Sequence, residues 1–208
     1  GLGRAPLSLN TNKASIRSIG DFSAADKIAV PGIRTSLSAV VLQMVVARQL
    51  GASQFARLDA MTVNLPHPQA MQALIRRQSG VTAHFCSPPF SFLELRQPGI
   101  HRVLNASDVL GPLTLDVVFA PKKLVDTEPL LVETFLDALD EANRLIEHDR
   151  RRAASIYVAG SGVDVSADEV LLMLSDEQTH FSAMPKQLMD YVAFLSLTGT
   201  IKAKPRRW

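Results

Sequence analysis

KIAVPGIRTSLSAVVLQMVVARQL, Lys27 to Leu50, is the stretch whose reading decides the fold. Lys27 to Val30 is apolar and compatible with a buried strand, and Pro31-Gly32 breaks the chain after it. From Leu37 the apolar residues Val40, Val41, Met44 and Val45 fall on one face of a helix, which Thr35 or Ser36 is placed to cap. A helix start carries unpaired N–H groups and roughly half a positive charge, so the turn at Arg34, Thr35 and Ser36 is a candidate cradle for a small anion. The same residues also serve as a plain turn and N-cap. They lack the glycine pattern of a P-loop or a dinucleotide site.

The elements on either side extend the pattern. Leu7 to Asn10 is a short strand before the polar run to Asp21. After Gly51, Leu58 to Leu65 alternates as a strand, and Pro66-His67-Pro68 stops it. Pro68 suits the first turn of a helix striped by Met71, Leu74 and Ile75 that ends at Gly80. Val81 to Ser87 is the next strand, Pro88-Pro89 leads to a loop or short helix through Phe90, Phe92 and Leu95, and His101 to Leu104 follows Gly99 as a further strand. Alternating strands and helices predict a mostly parallel α/β sheet, with ligands at the carboxyl ends of its strands. Leu113 to Ala120 reads as one more strand.

Beyond Pro121 the pattern is helical. Leu131, Phe135, Leu139 and Ile146 stripe a long helix, Arg151 to Val158 forms a short one, Ser166 to Glu169 is a capping box, and Pro185 to Leu197 closes the series through Leu188, Tyr191, Val192 and Leu195.

The composition narrows function. With 22 basic and 20 acidic residues among 208, the net charge of +2 supplies no field for nucleic acid. Arg150 to Arg152 and Lys204 to Arg207 read as solvated clusters. A single cysteine excludes an internal disulfide framework. No apolar run approaches the roughly 20 residues of a membrane helix. His84 and Cys86 share one strand face, the arrangement of a base and a nucleophile, but a buried core thiol fits as well and no third orienting group stands out. His67, His84 and His101 lie on separate elements without zinc-ligand spacing, so neither a metal nor a cofactor is expected. Ser87-Pro88-Pro89-Phe90 offers a hydroxyl, a rigid turn and an aromatic ring at a strand end, or else a strand stop with Phe90 and Phe92 packed inside.

Four stretches, KIAVPGIRTSLS (27–38), VNLPHPQAMQAL (63–74), VTAHFCSPPF (81–90) and GTIKAKPRRW (199–208), together resemble the solute-binding proteins of ABC transporters. The subgroup is the periplasmic binding proteins for nitrate, sulfonates and taurine, with relatives that share the thiamine-pyrimidine synthase fold. The resemblance spans essentially the whole chain, and it implies a type II periplasmic-binding-protein fold. In that fold a complete α/β lobe, here residues 10–115, is inserted into a second lobe, here residues 1–9 and 116–208, and the hinge strands are Leu7 to Thr11 and Leu113 to Ala120.

The resemblance further implies a non-catalytic receptor that closes on a small anionic or organic solute in the cleft between its lobes, docks on a membrane permease and works outside the cytoplasm. Arg34, Thr35, Ser36, His84, Ser87 and Pro88 would face that cleft. Members of the family are longer, so the chain is expected to lack the first part of lobe one, leaving the C-terminal helical stripes without a partner and the chain open to self-association. The alternative is an enzyme of the pyrimidine-synthase kind using His84 and Cys86, although the cysteine-rich run of those synthases is absent.

Overall fold

The computed structural model describes residues 2–202 and 205. Gly1 and, apart from Pro205, the basic cluster expected at Lys204 to Arg207 lie outside the described residues. The chain divides into two compact units, Pro6–Gly111 and a second made of Gly1–Ala5 with Pro112–Trp208. The strands in chain order are β1 (Gly3–Arg4), β2 (Ser8–Thr11), β3 (Ile28–Val30), β4 (Thr62–Asn64), β5 (Ala83–Cys86), β6 (His101–Asn105) and β7 (His180–Phe181). The helices are α1 (Leu37–Leu50), α2 (His67–Ile75), α3 (Phe90–Leu95), α4 (Ala106–Leu110), α5 (Lys122–Thr127), α6 (Pro129–His148), α7 (Arg150–Ser161), α8 (Ala167–Leu174) and α9 (Leu188–Leu197).

In the Pro6–Gly111 unit one sheet runs in the order β4-β3-β5-β2-β6. β3 is parallel to both β4 and β5, as the strand–helix alternation predicts, whereas β2 enters antiparallel between β5 and β6. The carboxyl ends of β3, β4, β5 and β6 therefore share one edge. Register fixes the faces: Val63, Ala29, His84 and Asn10 form a row across the sheet. Ala29 packs there with Ala70, Ala73 and Leu74 of α2. Successive strand residues point to opposite faces, so Ile28, Val30, Phe85 and Leu9, all fully buried, line the other side.

Three local expectations change. The α1 helix is buried from Ser38 to Val46, all round its circumference rather than along one stripe. The strand expected over Leu58 to Leu65 shrinks to Thr62–Asn64, because side-chain bonds hold the residues before it in a 3-10 turn, with the Thr62 hydroxyl donating to the Asp59 carbonyl at 2.8 Å. The α2 helix ends at Ile75, ahead of Gly80.

The second unit is helical, with β1 pairing β7 antiparallel. Leu113 to Ala120 is not a strand. Among the described residues, pairing with Leu2 to Arg4 reaches Leu115 and Asp116, through Leu115 N–H to Gly3 O at 3.0 Å and Leu2 N–H to Asp116 O at 2.9 Å, and Thr114 N–H donates to Lys186 O at 3.3 Å. Among the described residues no strand lies beside those that follow, and Phe119 is 89 % exposed. Ser166 and Glu169 form the expected capping box on α8. No residue of α6 is buried among those described. Its apolar stripe, through Leu131 and Phe135, instead lines a groove of about 500 Å3 with Phe119 and Leu124.

Leu74 is fully buried and Leu131 is 57 % exposed, so the two should respond differently to truncation. In urea denaturation followed by circular dichroism, Leu74→Ala should cost about 2–5 kcal/mol. Leu131→Gln should stay within about 0.5 kcal/mol of the parent, and an equal loss at both sites would place α6 in a core.

Candidate functional site

Three loops meet the carboxyl edge of β3, β4 and β5. After β3, Pro31-Gly32 turns the chain and Arg34 takes a left-handed φ of 61°. Ser36 is the α1 cap: its Oγ accepts from Ala39 N–H at 3.2 Å and donates to Gly32 O at 2.8 Å. Its hydroxyl is therefore committed within the turn. Arg34 is paired with Asp59 at 3.1 Å, and Gln43 donates to the same carboxylate at 2.9 Å. Thr35 is exposed. Of the three residues expected to cradle an anion, Thr35 keeps the least engaged side chain.

After β4, Leu65 N–H donates to Val30 O at 3.0 Å, and Pro66 delivers His67 to the first turn of α2. After β5, Ser87 and the cis Pro88-Pro89 pair lead into α3 and are half-buried. Phe90 stacks on His67 with ring centroids 5.5 Å apart.

Behind this edge the structure assembles a polar set that sequence spacing did not reveal. His84 Nε2 lies 2.8 Å from His67 Nδ1, and its Nδ1 lies 2.5 Å from Glu94 Oε1. Asn10 Nδ2 donates to Glu94 Oε2 at 2.9 Å and to Ser91 O at 3.1 Å. The Cys86 thiol is directed at the same Oε2, 3.6 Å away. Asn10, His84, Cys86 and Glu94 all have zero exposure. His84 and Cys86 do share a strand face, but the group that joins them is Glu94, from α3. Its signal was slight: a single carboxylate in the apolar run FSFLEL, with Ser91 and Glu94 on the buried side. Neither His67 nor Asn10 had a local signal.

The electrostatics disfavour nucleophilic chemistry. Burial, followed by the charge and hydrogen bond of Glu94, pushes the Cys86 thiol up, away from the thiolate that would react. Burial and then the charge on His84 bring His67 down to about 4, so it is neutral near pH 7. The donor atoms of His84, Cys86 and Glu94 lie within 4.8 Å of one another, a set chemically suited to zinc. However, ligands on bonds of about 2.1 Å in a tetrahedral shell stand roughly 3.4 Å apart. The 2.5 Å between His84 Nδ1 and Glu94 Oε1 is a hydrogen bond, and the set is a proton-bridged network.

In the other unit a cavity of about 290 Å3 is lined by Arg4, His180 and Lys186 with Thr114 and Ser182. No described helix is long and apolar enough to cross a membrane.

A buried, protonated thiol should resist modification. Ellman's reagent at pH 8 should leave Cys86 untouched in the folded protein and label it in denaturant; rapid labelling of the native state would show that the network is open.

No family model matches the chain, and neither does any curated protein. Solved structures do. The periplasmic aliphatic sulphonate binding protein SsuA from Escherichia coli matches with a TM-score of 0.69 and 15% identity, over 98% of this chain and 67% of that one. The alkanesulfonate-binding protein SsuA from Xanthomonas axonopodis pv. citri, bound to MOPS, gives 0.69 and 16%, over 99% and 69%. The ligand binding component of an ABC-type import system from Staphylococcus aureus, with zinc bound, gives 0.64 and 13%, over 98% and 67%. Over about two thirds of the length of these binding proteins, the chain carries their type II periplasmic-binding-protein fold.

Proposed function

We propose that this chain acts as a solute-binding component of an ABC importer. It holds a small oxyanion of the nitrate or sulfonate kind at the carboxyl edge of β3, β4 and β5, and it presents that solute, outside the cytoplasm, to a membrane permease. The observation that carries this reading is the convergence at that edge of the exposed Thr35, the start of the 14-residue α1 helix, and the stacked His67–Phe90 pair. A helix start and a hydroxyl suit an anion. Two of the structural neighbours are named for sulfonates and the third has zinc bound, and at 13–16% identity no ligand is inherited from them.

Arg34 shares its charge with Asp59, so the hydroxyl and N–H groups carry the larger share of binding. The buried Cys86 supports capture without a covalent step. Self-association through the exposed face of α6 belongs to the same proposal.

Calorimetry with nitrate, taurine and ethanesulfonate tests it. At least one should bind, and mass spectrometry should recover it unchanged. Thr35→Val should weaken that binding about tenfold through loss of a hydrogen bond to a charged group, whereas Thr35→Ser should be mild. Turnover of the solute, or binding indifferent to Thr35→Val, would overturn the proposal.

A further inference from the structure

The polar set behind the edge has a direction. Glu94, with zero exposure, faces three donors: the Asn10 amide at 2.9 Å, the Cys86 thiol at 3.6 Å and His84 Nδ1 at 2.5 Å. A carboxylate has no hydrogen to give, so His84 Nδ1 carries one. A buried carboxylate is costly unless a cation compensates it. Among its described contacts, the group able to supply that charge is His84, as imidazolium. The second hydrogen of His84 then lies on Nε2 and is donated to His67 Nδ1 at 2.8 Å. A neutral imidazole that accepts at Nδ1 bears its own hydrogen on Nε2. His67 does not take up a second proton near pH 7, since burial and the His84 charge both oppose it. The Phe90 ring, tilted 26° from the imidazole, keeps the plane of His67 in place.

We infer that Glu94 and His84 fix His67 as a permanent hydrogen-bond donor, so that the carboxyl edge selects an acceptor oxygen, as on a sulfonate or other oxyanion, and rejects ammonium groups. The inference rests on reading that edge as the solute site. Asn10, Glu94 and His84 are positioning residues that act through His67. The set behaves as an oriented dipole, its anionic end buried on Glu94 and its cationic end next to His67, and such a fixed dipole favours negative charge at the outer end. The donor state also leaves no lone pair on Nε2 for a metal ion.

The test is nitrogen-15 correlation spectroscopy of the imidazoles at pH 7, together with calorimetry using ethanesulfonate and ethylammonium. His84 should be protonated on both nitrogens and His67 on Nε2 alone, and ethanesulfonate should bind where ethylammonium does not. In Glu94→Gln the compensating charge is lost, so His84 should become neutral and His67 should move its hydrogen to Nδ1. Ethanesulfonate affinity should then fall about tenfold or more. The more peripheral His67→Phe should lose as much, and His67→Gln, whose amide N–H can stand in for Nε2–H, should stay within about threefold of the parent. Ethanesulfonate binding with His67 bare at Nε2 would overturn this inference and leave the solute reading standing. The stated tautomers with no binding to the parent protein would overturn the solute reading and the selectivity with it.

Discussion

The structure depends on how the Glu94 carboxylate is accommodated without solvent. That one group, on α3, ties Asn10 of β2, His84 and Cys86 of β5 and, through His84, His67 of α2. A buried ionic network adds little net stability over a well-packed apolar core, but breaking it by removing one partner is strongly destabilising. What such a network supplies here is register. A one-residue slip of β2 would bring Leu9 to Glu94 in place of Asn10 and strand the carboxylate. β2 is the antiparallel strand held between β5 and β6, so its register orders the whole sheet.

The proposed function rests on where that network ends. The parallel strands bring their carboxyl ends to one edge, and the loops that leave them carry Thr35, His67 and Ser87 there. Apolar packing of Ala29 with α2 and the all-round burial of α1 hold the loops' anchors rigid. The hydrogen-bonded chain from Glu94 through His84 to His67 then runs from the interior toward the edge. In the proposed solute site such preorganised donors would do the capturing, while the one thiol is buried as a donor to Glu94.

Much of the fold was legible in the sequence because it rests on local signals. The apolar run ending at Pro31-Gly32, the Ser36 cap and the Ser166 to Glu169 box each act within a few residues. LTLDVVFA was misleading because alternation is necessary for a strand but a partner is also required, and Leu2 to Arg4 reaches only Leu115 and Asp116. The apolar residues of α1 suggest a single face, since a sequence does not show that packing surrounds the helix. The site was less legible still. Thr35 and Ser36 both offer hydroxyls at a helix start, but Ser36 spends its own on the cap. In the sequence His84 stands out only by the strand end that the family resemblance turns to the cleft and by the strand face it shares with Cys86, whereas its partners are His67 and Glu94, on other elements and without any shared motif. Contacts formed only by tertiary folding leave no spacing to read.

The most direct measurement of the central claim is a map of amide and imidazole chemical shifts as ethanesulfonate is titrated into labelled protein. The account predicts that changes concentrate at Thr35, Ser36, His67, Ser87 and Phe90. Changes confined to the apolar groove of α5 and α6, or none at saturating solute, would contradict it.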